Sequence, residues 1–520
     1  MSLVRSYTLV GSATLASRLT GFVRDILIAA VLGSGRVADA YLAAFLLPNL
    51  FRRVLSEGAF NAAFVPILSR RRTEGDASAR DFVRAAFAAI LALAFGLVLV
   101  AELSMPGIIK VIAPGFVADP EKFAQAVLFG RIAFGFVGAV IVSAFLASLL
   151  NAVGRYALVA MAPLILNGLL IPVLLALFVL GWQGDVRVGW VLVFSVLAAG
   201  FLQLAYVAYG VRRAGIVIWP LRWEADRDVR LMIAMVLPAV VLAGAGHFNM
   251  VVAAQLSSAL PSAVSWIYYA DRIFQLPLGF VAAAIGVVLL PEVSRAIRDG
   301  DHPRADDASN RALEFGMLLV LPAMLALVIL ARPIIDIIYR HGAFTASDSA
   351  AVADMLSALA LGLPGFVLVK VFLPAFLARE SLRLPLLAAL AGVVANIAFT
   401  LALVGRLGPV AAPLGVATSA WVNALLLGIG LKMRGVFRLD GRATRSLPLI
   451  VVAAALTGAV TYANLVLFEP WLAPDRALAL RTGALALVCL SGVGVHAVAS
   501  HLFGIADLGG LRRAFGRTGA

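Results

Sequence analysis

Charged side chains and cysteine are both scarce in this sequence. Of its 520 residues, 13% are charged, and the single cysteine, Cys489, stands in an apolar run. A typical soluble domain has about 25% charged residues, so the composition argues against a soluble globular protein. One cysteine supplies neither a disulfide framework nor a thiolate cluster, and the five histidines lack the spacing of metal ligands. We therefore expect no zinc or haem site.

Long apolar runs dominate what is present. The chain is 62% hydrophobic with a mean hydropathy of +1.01. Because about 20 apolar residues are enough for a helix to cross a bilayer, the sequence predicts an all-α polytopic membrane protein with about fourteen transmembrane helices. The predicted spans are 7–33, 37–68, 81–105, 123–152, 157–180, 188–210, 231–257, 264–293, 312–338, 350–378, 384–404, 410–432, 446–467 and 479–503.

The distribution of basic residues predicts the orientation of these spans. The net charge of +14 would suggest a nucleic-acid partner in a soluble protein, but here it indicates basic cytoplasmic loops that face anionic lipid. Placing both termini in the cytoplasm puts most basic residues, including the run 70–72, in cytoplasmic segments. Splitting the long segment 37–68 into two spans would move every later loop to the opposite side of the membrane. The excess of basic residues in cytoplasmic segments would then be lost. We therefore predict one span there.

A weak internal repeat suggests two homologous halves. FVPILSR at 64–70 resembles LLPEVSR at 289–295, and parallel repeats of this kind are typical of transporters. The predicted organisation is a first lobe at 1–213 (helices 1–6), a second lobe at 228–434 (helices 7–12), helices 13 and 14 at 444–505, and a basic cytoplasmic tail at 506–520.

Ionisable residues interrupt the apolar runs, mainly in the first two spans. These two spans contain Arg18, Arg24, Asp25, Asp39, Arg52, Arg53 and Glu57, and the second half adds Asp271, Arg272 and Lys370. Charge in hydrocarbon costs several kcal/mol, so such residues usually face a bundle interior or a wet cavity and mark function.

Two interpretations of these charges are open. They could be ion pairs between helices or long side chains that reach the interface, which is the favoured interpretation for Arg131 and Glu102 near helix ends. For Arg24, Arg52, Arg53 and Arg272 the basic groups outnumber the acids that could neutralise them. A surplus of buried positive charge requires an anion or water. Guanidinium groups match phosphate oxygens with two parallel hydrogen bonds, so we predict a phosphorylated ligand.

Several blocks of sequence carry a family resemblance. SRLTGFVRDILIAAVLG at 17–33 and ADAYLAAFLLPNLFRRVLSEGAFNAAFVPILS at 38–69 resemble the MurJ (MviN) family of bacterial lipid II flippases, within the multidrug/oligosaccharidyl-lipid/polysaccharide exporter superfamily. The likeness continues through APGF at 113–116, WIYYADRIFQLPLG at 266–279 and HGAFTASD at 341–348. It covers nearly the whole chain.

The resemblance implies two six-helix lobes around a central cationic cavity and an extra helix pair that guides the lipid tail. The implied function is flipping of the undecaprenyl-diphosphate-linked peptidoglycan precursor, lipid II, from the inner to the outer leaflet of the bacterial cytoplasmic membrane. The implied diphosphate-binding residues are Arg18, Arg24, Arg52, Arg53 and Arg272. The implied support for these arginines and for gating comes from Asp25, Asp39 and Glu57, and we add Asp271 and Lys370 as further candidates.

We expect no catalytic residue and no cofactor, and we expect coupling to the membrane potential or to a monovalent cation. Asp354, Glu380 and Asn396 are candidates for a cation site. The expected partners are lipid II, membrane lipids and cell-wall synthesis proteins. The chain contains no GxxxxGK[ST] nucleotide-binding motif, which argues against ATP hydrolysis as the driving force.

Two other functions are weighed against this one. A cation-coupled exporter of another lipid-linked oligosaccharide or of drugs could use the same fold, but cationic drugs require acidic cavities. A glycosyltransferase or ligase would need catalytic carboxylates or histidine on a sizeable loop, and the longest predicted external segment, 106–122, is short.

Overall fold

The computed structural model describes residues 3–56, 59–223, 226–245 and 248–505, and this part of the chain is helical and contains no strand. Two short 3₁₀ turns, Pro114–Ala118 and Gly408–Val410, join longer helices. The helices are α1 (Leu3–Leu32), α2 (Arg36–Ala44), α3 (Leu46–Ser56), α4 (Ala59–Glu74), α5 (Asp76–Ile112), α6 (Pro120–Ala152), α7 (Tyr156–Val179), α8 (Val186–Arg213), α9 (Arg227–Ala245), α10 (Phe248–Ser257), α11 (Ala263–Arg298), α12 (His302–Ile329), α13 (Ala331–Ile338), α14 (Ala346–Ala360), α15 (Leu363–Leu377), α16 (Arg383–Leu407), α17 (Ala411–Met433), α18 (Gly441–Leu472) and α19 (Leu478–Leu502).

The predicted spans coincide with these helices. Ten helical segments within the described residues are long and apolar enough to cross a membrane, and each of the fourteen predicted spans lies on one helix or on successive helices. The predicted span 37–68 covers α2, α3 and α4, and a single residue, Phe45, separates α2 from α3. The fold class of an all-α polytopic membrane protein is confirmed.

Packing divides the chain into two compact units. The first unit runs to residue 265 and includes residues 341–345, and the second contains 266–340 and the chain from 346 onward. Helices α9 and α10 therefore pack with the first unit, whereas the sequence repeat places the start of the second lobe at 228. The predicted lobes are defined by that repeat and stay a prediction.

Helix α6 forms the core of the first unit, where it packs against α5, α8 and α2. The ring of Phe145 on α6 lies 5.0 Å from the ring of Phe64 and 6.1 Å from that of Phe87, measured between centroids. Helix α8 approaches closely at Gly189, where an added Cβ would lie 2.6 Å from the Phe129 ring. Aromatic packing and close helix contact thus support α2, while α1 packs mainly against α7.

The second unit is built around the packed pair α16 and α17 and around α12, which contacts α15 and α18. Gly415 lets α17 approach α16, because an added Cβ would lie 2.4 Å from Asn396 Oδ1. Small residues permit this kind of close helix packing in membranes. Helices α18 and α19 form a hairpin, and α18 packs against α12.

Candidate substrate-binding site

Arg24 on α1 is the most firmly positioned of the predicted arginines. Its Nη2 and Nε donate to Asp25 Oδ1 at 2.7 and 3.1 Å, and its Nη1 donates to Asn167 Oδ1 at 3.1 Å. The Arg24 side chain is 12% exposed and the Asp25 side chain 6%. Carboxylate and amide oxygens therefore fix the guanidinium plane on α1, the helix of the predicted span 7–33. The family resemblance implies that Asp25 supports the arginines, and in the structure Asp25 forms an ion pair with Arg24.

Asn167 on α7 was not among the predicted site residues. Its Nδ2 donates to the Ser17 carbonyl oxygen at 3.1 Å and to Thr20 Oγ1 at 2.9 Å, while its Oδ1 accepts from Arg24. One buried amide thus fixes α7 against α1 and orients the arginine as well. The available signal in the sequence was a lone asparagine in a long apolar run, and a polar residue in such a run usually finds a partner on a neighbouring helix.

The other predicted arginines of the first unit lie on α1 and α3. Arg18 is exposed on α1, seven residues before Asp25, and Arg52 and Arg53 are half-buried on α3. Glu57 lies outside the described residues. The structure therefore joins Arg24 to Asp25 and Asn167, and it places Arg18, Arg52 and Arg53 in the same unit.

Asp39 has partners other than an arginine. This fully buried side chain accepts from Lys122 Nζ at 2.6 Å and from the backbone N–H of Ser265 at 2.9 Å. The Lys122 ammonium also lies 4.1 Å from the centroid of the Phe116 ring. The predicted role for Asp39 was to orient an arginine, whereas its carboxylate here binds α6 and the start of α11. Lys122 lies one residue before the predicted span 123–152, where a loop charge is expected, and yet it is only 7% exposed.

Three predicted residues lie in the second unit. The Arg272 guanidinium on α11 stacks 4.4 Å from the centroid of the Tyr268 ring, a cation–π contact one turn away on the same helix. Asp271 is buried and accepts a hydrogen bond from Gln275. Lys370 is exposed on α15. The Arg272 guanidinium is thus positioned by an aromatic face of its own helix.

The candidate cation-site residues differ in their exposure. Asp354 and Glu380 are exposed, while Asn396 is buried and its Oδ1 accepts from Thr400 Oγ1 at 3.3 Å. No group of three or more His, Cys, Asp or Glu residues within the described ranges could hold a metal ion.

The hairpin of α18 and α19 carries an apolar groove of about 500 Å³. Cavities of 300–1,000 Å³ are typical of small-molecule sites. The lining residues are Phe468, Trp471, Ala479, Leu480, Gly483, Ala484, Ala486, Leu487 and Leu490. Because this lining is hydrocarbon and aromatic, the groove suits an alkyl or polyprenyl chain and offers nothing to a charged group.

Comparison with known proteins places this architecture in a family. The family model described as lipid II flippase MurJ matches residues 28–479. A probable lipid II flippase MurJ of Rhizobium meliloti (strain 1021) is 41% identical over 99% of this chain and 97% of the relative. A lipid II flippase MurJ of Burkholderia cenocepacia is 30% identical over 84% of this chain and 85% of the relative.

Two solved structures share the fold. A structure described as lipid II flippase MurJ in an inward closed conformation matches with a TM-score of 0.78 at 22% identity and covers 95% of this chain and 98% of its own. An inward-facing multidrug resistance MATE family transporter of the MOP superfamily matches with a TM-score of 0.66 at 16% identity, over 82% of this chain and 97% of its own. On the family model and the near full-length relatives, the chain belongs to the lipid II flippase MurJ family.

Proposed function

We propose that the protein flips lipid II from the inner to the outer leaflet of the bacterial cytoplasmic membrane for cell-wall synthesis, with both termini in the cytoplasm. Family membership supports the substrate. The observation that carries the proposal is the Arg24 guanidinium, which Asp25 and Asn167 fix on α1 with part of its surface accessible. A fixed cation of this kind suits a ligand that brings anionic oxygens into the membrane.

The diphosphate of lipid II is the group that these arginines would bind. The guanidinium group of Arg24 is already oriented for two parallel hydrogen bonds. The further candidate contacts in a central cationic cavity are Arg18, Arg52, Arg53 and Arg272. Two phosphates with several oxygens can take more than one guanidinium, each with two hydrogen bonds. In this proposal alternating access exposes the cavity to one side of the membrane at a time, and Asp25 keeps the Arg24 side chain oriented throughout. Asp39, Glu57, Asp271 and Lys370 remain candidates for gating.

The lipid tail needs a different surface. A polyprenyl chain is stable in hydrocarbon and does not have to enter a polar passage. The groove lined by residues such as Phe468, Trp471 and Leu487 would receive the tail while the headgroup crosses. The α18–α19 hairpin would then act as the guide for the lipid tail.

The membrane potential could supply the driving force, because an inside-negative potential favours outward movement of a negative headgroup by about 2.3 kcal/mol per charge per 100 mV. Coupling to a monovalent cation is the other candidate. No cofactor is required in either scheme. Membrane lipids and cell-wall synthesis proteins remain candidate partners.

The test is a flipping assay in proteoliposomes with fluorescent lipid II and a membrane-impermeant quencher. Arg24→Ala should abolish transfer, and Arg187→Ala should not. Arg187 is the matched control because it is an exposed arginine at the start of α8 whose ion pair is with the nearby Asp185. Equal transfer by wild type and Arg24→Ala would refute the arginine mechanism.

An exporter of another lipid-linked oligosaccharide or of drugs is the second candidate, and the MATE-like fold supports it. Native mass spectrometry against diphosphate lipids and cationic drugs separates the two. Our proposal expects retention of the diphosphate lipid and its loss in Arg24→Ala. Preferential retention of the drug would favour the exporter.

A further inference from the structure

One histidine lies inside the membrane-spanning part of the second unit and has no role in the proposed headgroup site. His496 is half-buried on α19, and its two ring nitrogens contact two different helices. Nε2 lies 2.8 Å from the carbonyl oxygen of Leu318 on α12, and Nδ1 lies 3.1 Å from Thr457 Oγ1 on α18. Three helices therefore meet at this ring.

The Leu318 carbonyl is unusual among the backbone groups of α12. In an α-helix this oxygen accepts from the N–H four residues later, and that residue is Pro322, which lies inside α12 and has no N–H. In hydrocarbon no water is available to replace the missing donor, so an unsatisfied carbonyl is costly and a neighbouring helix usually supplies the hydrogen bond. His496 Nε2 occupies the position of that missing donor.

The partners also fix where the hydrogens lie. A carbonyl oxygen only accepts, so Nε2 must carry a hydrogen. Nδ1 accepts from the Thr457 hydroxyl when the imidazole is neutral. If the ring gains a second proton, Nδ1–H donates to Thr457, whose hydroxyl then donates to the Ala453 carbonyl oxygen at 2.8 Å. The bond to Leu318 is common to both arrangements.

Close packing at the same level keeps α18 against both neighbours. An added Cβ at Gly458 would lie 3.1 Å from Leu325 of α12, and one at Gly492 would lie 2.9 Å from Thr461 Oγ1 of α18. Asn464 Nδ2 donates to Ser491 Oγ at 2.8 Å within the hairpin. The hairpin is thus held together by its own polar contacts, and His496 adds a direct polar bond from α19 to α12.

We infer that His496 is a positioning residue that sets the register of the α18–α19 hairpin on α12 by donating to the Leu318 carbonyl that Pro322 leaves without its helical donor. The consequence for transport, namely that the apolar groove of the hairpin is held in place for a polyprenyl tail, rests on the proposed function. The attachment of the hairpin to α12 is independent of the proposed function, and the spin-label experiment measures this attachment alone.

Spin-label distances in the full-length protein in nanodiscs test the attachment. Cys489 is the only cysteine of the chain and is exposed on α19, and Phe315→Cys supplies a second exposed label position on α12. His496→Asn should broaden or shift the distance distribution, because a short amide does not reach the Leu318 carbonyl. His496→Gln should preserve it, since its amide nitrogen can occupy the position of Nε2. His501→Asn, the same change at an exposed histidine on α19, is the matched control and should leave the distribution unchanged.

A double-mutant cycle tests the role of Pro322. Pro322→Ala gives α12 its own donor to the Leu318 carbonyl, so His496→Asn should lower the thermal unfolding midpoint less in that background than in the wild type. Side-chain nitrogen NMR should show a hydrogen on Nε2 of His496. Equal effects of His496→Asn in both backgrounds, or failure of His496→Gln to preserve the distances, would overturn the inference whether or not the protein flips lipid II.

Discussion

Two buried aspartates of the first unit, Asp25 and Asp39, make different ion pairs. Asp25 binds Arg24, its neighbour in the chain, and the arginine keeps 12% of its side-chain surface exposed. Asp39 is completely buried and binds Lys122, a distant residue that is itself buried, together with the Ser265 backbone. The first pair orients a cation that is still partly accessible to a ligand, whereas the second pair buries both of its charges in the protein.

The difference separates a binding role from a structural one. A buried pair whose two charges satisfy each other has little capacity left for an added anion, and breaking it leaves an uncompensated charge. A partly accessible arginine with fixed orientation can give hydrogen bonds to phosphate without first being ordered. We therefore expect substitutions at Asp39 and Lys122 to act mainly on stability, and substitutions around Arg24 to act mainly on lipid binding.

The largest expected effect comes from Lys122→Met. Removing the ammonium leaves the Asp39 carboxylate buried without its cation, which should cost about 3–5 kcal/mol of unfolding free energy. The double variant Lys122→Met/Asp39→Asn should recover a large part of this loss, because no charge is left and the Asn oxygen can still accept from Ser265. Equilibrium unfolding in detergent micelles measures both. A double variant as unstable as Lys122→Met would contradict the ion-pair explanation.

The same chemical change at the two aspartates gives the direct comparison. Asp39→Asn should cost about 3 kcal/mol because Lys122 stays charged and buried. Asp25→Asn should cost only about 1 kcal/mol, the value of an ordinary hydrogen bond, since Asn167 still holds Arg24. The order should reverse for binding of a diphosphate lipid, where Asp25→Asn should have the greater effect per folded molecule. Equilibrium unfolding measures the stability of both variants, and native mass spectrometry measures their lipid binding. Equal effects of the two variants on both quantities would contradict the separate roles of Asp25 and Asp39.

Asn167→Leu tests the second support of Arg24. The change removes the acceptor for Arg24 and two donors to α1, and at about 1 kcal/mol per hydrogen bond it should cost about 1–3 kcal/mol and weaken binding of a diphosphate lipid. The matched control is Asn151→Leu at the end of α6, which removes one hydrogen bond to Asn61 and should leave lipid binding unchanged. Unfolding and lipid binding are measured for both. If Asn151→Leu weakens lipid binding as much, the effect is general and not specific to Arg24.

These sites also show what could be read from the sequence. The spans follow from the length of apolar runs, and the pairing of Arg24 with Asp25 lies within reach because ionisable residues in hydrocarbon must find partners. Lys122 escaped notice because a lysine near the start of a span looks like a loop charge, and only packing reveals that Phe116 and Asp39 enclose it. Asn167 escaped because the sequence does not say which helices become neighbours. Residues far apart in the chain become partners only through helix packing, and the apolar runs of one sequence do not indicate which helices pack together.

An ion pair outside the predicted spans provides a reference for both membrane pairs. Asp228, at the start of α9, binds Arg70 and Arg71 at the end of α4, and the hydrogen bond from Arg70 is the main cause that lowers the pKa of Asp228. Because the folded pKa lies below the ordinary value of about 3.9, the stabilisation is present above that value and is lost as the pH falls through the lowered one. The stability difference between wild type and Asp228→Asn should therefore be constant from about pH 7 to 5 and shrink only below about pH 4.

Unfolding in detergent across this range measures the effect. It should be the smallest of the four because solvent reaches and screens Arg70 and Arg71, whose side chains are 53% and 23% exposed. The ratio of this loss to that of Lys122→Met then gives the influence of burial on an aspartate's ion pair within one unit. A loss as large as that of Lys122→Met would mean that burial does not set the strength of these pairs, and the assignment of Asp39 to structure and Asp25 to binding would lose its physical basis.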